Sequence, residues 1–292
     1  MAIAPPQRPS RPPTPPTQPA PSRTEASVSA TAPTIRKAGE RKSPPRIIIN
    51  AVECFGKTTI GAYAPKPIFL CSRGETGLDT LVSSGLAPAV DCQECSTWAE
   101  TLAAAQSLVT SDYETVVLDA LGGFERLNHE EVCRAEYGGD WGEKGFTSYQ
   151  RGYEVSIGPW IKLLQVLDTI RMKTGATILL LSHSKITNFK NPIGPDFDRY
   201  AADCHHKTWG ICHKWADAVL FGKFRTVVDK VDTKGKRGKG IGGATRELYS
   251  EHCDAWDAKS RYRMPAEIEM PTDPALMWDT IHKAIKGELT NA

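Results

Sequence analysis

The chain has 292 residues, with 36 Lys plus Arg against 34 Asp plus Glu and a formal net charge of +2. So even a balance excludes arguing for a polyanionic partner from overall charge and leaves that case to local clusters. No apolar run approaches a membrane span and no signal-peptide pattern opens the chain, so no membrane partner is expected; eight scattered cysteines read as reduced thiols of a cytoplasmic protein.

Residues 1–45 are rich in Pro, Ser, Thr and Ala, lack aromatics and carry a basic excess, including Arg36, Lys37, Arg41 and Lys42. Such a segment cannot bury enough apolar surface to offset its ordering entropy, so it is expected to be a disordered, solvated tail. A tether for nucleic acid or protein is the sharper alternative. Residues 46–292 suit a single α/β domain.

That domain opens with RIIIN (46–50), a β-branched apolar run read as a buried strand. It leads into Ala51-Val52-Glu53-Cys54-Phe55-Gly56-Lys57-Thr58-Thr59. A strand, a tight loop ending in Gly-Lys-Thr and a helix start form the context of a phosphate-binding P-loop. Loop N–H groups converge on phosphate oxygens, Lys57 reaches the β/γ-phosphates and the Thr58 hydroxyl ligates Mg²⁺. Ala51 stands where the pattern usually has Gly, which costs little at negative φ and much more at positive φ.

PIFLCS (67–72) is the second strand, and Glu75 follows it at the edge where open α/β sheets bind ligands. There a carboxylate can orient or deprotonate an attacking water, with Asp79, which could equally cap a helix, as the rival. Cys92-Gln-Glu-Cys95 has no second pair at zinc-finger spacing. Residues 97–109 carry helical periodicity, and ETVVLDA (114–120) is a strand ending in Asp119, the acidic residue that a P-loop requires for Mg²⁺. A helix over 156–175 ends at Gly175. ATILLLSH (176–183) then delivers Ser182 and His183 to a strand end, where a side chain can sense the γ-phosphate.

Residues 184–206 read as a long loop mixing Lys185, Lys190 and Arg199 with Phe189, Phe197 and Tyr200. Cations that track phosphates beside aromatics that stack on bases suit single strands. Cys204, His205, His206, Cys212 and His213 are zinc-ligand types without a recognised spacing, so HHKTWGICHKWAD reads as an amphipathic helix. DAVLFGKF (217–224) is the next strand. Antiparallel strands around a Gly/Lys-rich hairpin loop follow, with Lys236 and Arg237 as a second basic patch, and a helix over 273–286 closes the chain.

The ordered set of P-loop, strand then Glu, acidic strand, strand then polar sensor, and the ending DAKSRYRMP resembles the RecA-like ATPase core. It is especially similar to the phage-encoded RecA-like nucleotide-binding proteins of single-strand annealing and recombination, within the AAA-family ATPases; the resemblance covers about residues 46–270. It implies a mostly parallel central sheet with helices on both faces and an antiparallel C-terminal extension, with ATP and Mg²⁺ as cofactors. Glu75 falls where these proteins keep the water-activating Glu, and His183 where they keep the sensor. Lys259 and Arg261 match a basic finger pair inserted into a neighbour's ATP site, which implies a homo-oligomer, ring or filament. The implied function is a single-stranded-DNA-binding ATPase of phage or mobile-element recombination, working with a single-stranded-DNA-binding or annealing protein. A helicase-like replication motor and a non-hydrolysing nucleotide-dependent scaffold are the alternatives.

Overall fold

Ile47, Ile48 and Ile49 point alternately to the two faces of one strand and are buried on both, because helices cover each face of the sheet. A computed structural model describes residues 43–229 and 239–289, together with Lys37 and Gly39. Most of the 1–45 tail, and both Lys236 and Arg237, therefore lie outside the described residues. The core is engaged from Ser43 onward: Ile178 N–H donates to the Pro45 carbonyl at 3.1 Å, and the Arg171 guanidinium donates to that of Pro44.

The elements run β1 (Arg46–Ala51), α1 (Lys57–Ala62), β2 (Pro67–Ser72), α2 (Gly77–Ser83), β3 (Asp91–Cys95), α3 (Trp98–Ser107), β4 (Thr115–Asp119), α4 (Leu121–Tyr137), α5 (Arg151–Val155) and α6 (Ile157–Thr174). They continue as β5 (Thr177–Phe189), β6 (Phe197–Ala202), α7 (His206–Trp215), β7 (Ala218–Asp229), β8 (Lys239–Tyr249), β9 (Lys259–Ser260), β10 (Glu267–Glu269) and α8 (Met277–Lys286). Among the described residues the sheet order is β10-β8-β7-β1-β5-β4-β2-β3. From β7 to β3 every pairing is parallel, and β8, β9 and β10 add antiparallel strands. The α/β class, the mostly parallel sheet and the antiparallel C-terminal extension are all as expected.

Ile47, Ile49, Val117 and Leu179 pack under α1 and α8, while Ile48, Val116, Leu118 and Leu180 pack under α3, α4 and α6. One strand, β5, separates the P-loop strand from the strand ending in Asp119. The carboxyl ends of β1, β4, β5 and β2 thus open on the same edge, where chain crossovers leave a crevice.

The expected 184–206 loop is a hairpin. β5 runs six residues past His183 and pairs antiparallel with β6, from Ser184 opposite Ala202 to Phe189 opposite Phe197. Cross-strand pairing of these aromatics, 5.2 Å apart, gives the segment a reason to be ordered that residue composition did not reveal. Helix α7 occupies the stretch expected to be helical, and Cys212 lies in its buried face, accepting from the Trp160 indole at 3.1 Å. Among the described residues no group of three or more His, Cys, Asp or Glu is placed to hold a metal ion, and no helix is long and apolar enough to cross a membrane.

Candidate nucleotide site

Ala51 is the last residue of β1, fully buried, and does not adopt positive φ. The penalty for a side chain at that position therefore does not arise. The left-handed turns of the loop fall instead at Cys54 (φ 58°) and Gly56 (φ 99°), the residue that caps α1. Gly56 meets the requirement at low cost, whereas Cys54 carries strain. The loop is seated by its neighbour strand: Val52 N–H donates to the Gly222 carbonyl at 3.1 Å. A Cβ at Gly222 would lie 2.7 Å from the Phe55 ring and 2.9 Å from the Ala51 Cβ. Gly222 is thus part of the loop's seat, and its position inside an apolar strand is the signal for such a close approach.

Lys57 is buried and turns back on the loop, donating to the carbonyls of Ala51 (3.0 Å) and Val52 (3.2 Å). Burial lowers its pKa, against the opposing charges of Asp119, Glu75 and Glu53. The Thr58 hydroxyl donates to Asp119 Oδ2 at 2.8 Å. Burial also raises the Asp119 pKa, which the Thr58 bond, His183 and Lys57 only partly offset and the Glu75 charge increases. Burial is the largest cause in both groups, so each charged form would be stabilised by a ligand of opposite charge. Phosphate would be that ligand for Lys57 and a divalent cation for Asp119. Thr58 and Asp119 fit Mg²⁺, which takes one or two protein oxygens and fills its remaining positions with water and substrate phosphates.

Glu75 follows a turn in which its N–H donates to the Ser72 carbonyl at 3.0 Å. Its Oε1 lies 3.9 Å from His183 Nε2, beyond hydrogen-bond distance but close enough for attraction once the ring is protonated. The rival Asp79 is exposed in the first turn of α2, where its charge bears on Cys71 and Cys92. Lys57, Thr58, Asp119, Glu75 and His183 therefore share one edge of the sheet. Sequence reasoning missed Ser72, the buried polar end of β2. Its hydroxyl lies 3.5 Å from the Asp119 carbonyl and 3.4 Å from Ala120 N, between the turns that carry Asp119 and Glu75.

Lys259 and Arg261 lie elsewhere. Lys259 is opposite Val219, and Arg261 N–H donates to the Asp217 carbonyl, at the amino edge of the sheet. The length of β1, about 15 Å, separates them from their own P-loop. Arg261 Nη1 is 2.7 Å from Asp217 Oδ1, within a network in which Arg46 (2.9 Å) and Arg171 (3.3 Å) also bind Asp217.

The hairpin cations are paired as well. Lys185 meets Asp203 at 3.1 Å, Lys190 meets Asp196 at 2.6 Å, and Arg199 meets Asp257 at 2.8 Å while its guanidinium covers the Phe189 ring. Tyr200 packs on Phe221 with ring centroids 5.0 Å apart, which removes it from the set of free stacking residues.

The AAA domain family matches residues 43–262. Among solved structures, the crystal structure of the RadB recombinase aligns at 14% identity over 74% of this chain and 86% of that chain, with a TM-score of 0.38. No curated protein matches the chain in sequence. The family match begins at the residue where the chain joins the core and runs through the P-loop, Asp119 and His183 to the end of the amino-edge network, and the chain belongs to the AAA domain family.

Proposed function

We propose that the chain is an ATP-dependent, single-stranded-DNA-binding ATPase that acts in phage or mobile-element DNA recombination or annealing, in the cytoplasm of the host. The observation that carries the ATPase part is the convergence of Lys57, Thr58, Asp119, Glu75 and His183 on one edge, with the charged forms of Lys57 and Asp119 both disfavoured by burial. When bound, Mg²⁺ neutralises phosphate charge. Lys57 would exchange its loop carbonyls for phosphate oxygens, and Thr58 and Asp119 would hold the metal. Glu75 orients a water and accepts its proton as the water oxygen attacks the γ-phosphorus and the bond to ADP breaks.

DNA binding is assigned to the β5–β6 hairpin through Lys185, Phe189, Lys190 and Arg199, together with Lys236 and Arg237. What supports coupling is continuity: β5 carries His183 at the nucleotide edge and Phe189 in the hairpin without a break. Lys259 and Arg261, remote from their own P-loop, act on the nucleotide of a neighbouring subunit in a ring or filament. A single-stranded-DNA-binding or annealing protein is the natural co-worker.

One observation favours a second reading. Each described hairpin cation already has an aspartate partner, which weakens its claim on DNA phosphates and leaves room for a nucleotide-dependent scaffold. ATP turnover measured with and without single-stranded DNA separates the two. Stimulated turnover supports the recombination ATPase, whereas nucleotide binding without turnover in either condition would establish the scaffold.

A further inference from the structure

The P-loop carries a charge that opposes its own chemistry. A loop of this kind gathers N–H groups to hold a polyanion, yet Glu53 sets a carboxylate in its turn. Glu53 is exposed, and its side chain has no hydrogen bond or ion pair among the described residues. Its charge attracts Lys57, so it competes with phosphate for that ammonium and repels the nucleotide besides. A residue that breaks a local rule inside a functional site calls for a compensating gain elsewhere.

Around Arg261, at the amino edge, the surplus has the opposite sign. Asp217 already holds Arg46, Arg171 and Arg261 itself, and Lys259 is half-buried. Two cations beside Arg261 stay in water. Lys214, in the last turn of α7, and Arg263 are exposed, and neither side chain has a hydrogen bond or ion pair among the described residues. Lys214 is the one joined to Arg261, whose Nη2 donates to the Lys214 carbonyl at 3.1 Å. An approach that carries Arg261 to a neighbour's nucleotide therefore carries Lys214 to the mouth of the same site.

We infer that Glu53 pairs with Lys214 of a second copy of this chain, where the amino edge of one subunit meets the carboxyl edge of the next. The two charges stand at opposite edges of one sheet, so they meet only between copies, in a heterologous contact that builds rings or filaments. This contact rests on the proposed assembly and adds a regulation to it. The neighbour's ammonium cancels the carboxylate that competes with phosphate, so assembly and nucleotide binding strengthen each other by the same factor.

Sedimentation velocity with ATP and Mg²⁺ tests the pair on the full chain by charge reversal. Glu53→Lys and Lys214→Glu should each weaken self-association by about fivefold or more, and the doubly reversed protein should recover most of that loss. At concentrations where the wild type is monomeric, Glu53→Gln should bind ATP about threefold or more tightly, because the competing carboxylate is gone. Wild-type ATP affinity should also rise with protein concentration, and that of Glu53→Gln should rise less. Single reversals that assemble like wild type, or a double reversal no better than either single, would overturn the contact while leaving assembly intact. Should a reversed protein fail to fold, Glu53→Gln and Lys214→Gln, alone and combined, repeat the cycle, and strictly additive losses would overturn the pair. Unchanged ATP affinity in dilute Glu53→Gln protein would overturn the regulation. Wild type that stays monomeric at all concentrations would overturn the proposed assembly, and this contact with it.

Discussion

At the amino ends of β1 and β7, Asp217 receives Arg46, Arg171 and Arg261 within 3.3 Å, and their bonds overcome the effect of burial to hold its pKa below the usual carboxylate range. At the carboxyl ends of the same sheet, the Asp119 carboxylate accepts from the Thr58 hydroxyl at 2.8 Å, and burial pushes its pKa up. Both carboxylates sit at strand ends and are largely buried, yet one edge saturates its charge and the other leaves it unsatisfied. A saturated network locks an edge of the fold together. An unsatisfied one is costly on its own and is relieved by a ligand, which is how binding energy is stored at a site.

The contrast breaks most sharply at Lys57. Lys57→Ala should abolish ATP binding, measured by calorimetry, while leaving the thermal midpoint of the free protein nearly unchanged; a large loss of stability would place Lys57 with the structural charges. Asp217→Ala should do the reverse, removing one carboxylate from three arginines, of which Arg46 and Arg171 keep Asp168, and lowering unfolding free energy by about 3–5 kcal/mol in denaturant titrations. Nucleotide affinity in the folded fraction should hold. Glu75→Gln sharpens the picture within the carboxyl edge: ATP should bind nearly as before and turnover should slow by at least about a hundredfold. Normal turnover would make Glu75 a structural cap and return Asp79 to consideration.

The smallest effect concerns His129, buried against the rings of Phe146 (5.4 Å) and Tyr153 (5.2 Å). Burial, with His205 nearby, lowers its pKa from 6.5 to about 4. The unfolded chain therefore binds this proton more readily than the folded one. Stability from this group is complete above pH 6.5 and is lost as pH falls towards 4. The thermal midpoint of wild type should decline across that window, and His129→Gln should flatten the decline.

Strands buried on both faces were the most legible part of the chain, because an uninterrupted apolar run such as Ile47–Ile49 has few other destinations; PIFLCS became β2 without a shift in either boundary. The placement of the P-loop, Asp119 and Glu75 at the carboxyl ends of strands was legible for the same reason, since each lies at the end of such a run. Helix α4 was not. Its start, Leu121-Gly122-Gly123, opposes helix propensity, and its buried stripe of Phe124, Leu127, Val132 and Cys133 is interleaved with charge. β3 reads DCQEC and is exposed over four of its five residues, so nothing in its composition marks it as strand. The hairpin depended on a register between Phe189 and Phe197 that exists only once both strands are placed. The pairing of each hairpin cation with an aspartate was likewise a fact of three-dimensional position: Arg199 finds Asp257 across 58 residues of sequence.

The unbroken course of β5 also has a mechanical consequence. From His183 to Phe189 the strand behaves as a cantilever about 20 Å long, clamped in the parallel sheet at one end and stiffened by β6 over its free length. Rotation of its clamped end by about 5° would sweep the Phe189–Phe197 end through roughly 1–2 Å over that length. Sub-ångström rearrangement around His183 would thus be magnified at the hairpin with no hinge, gate or loop refolding in between.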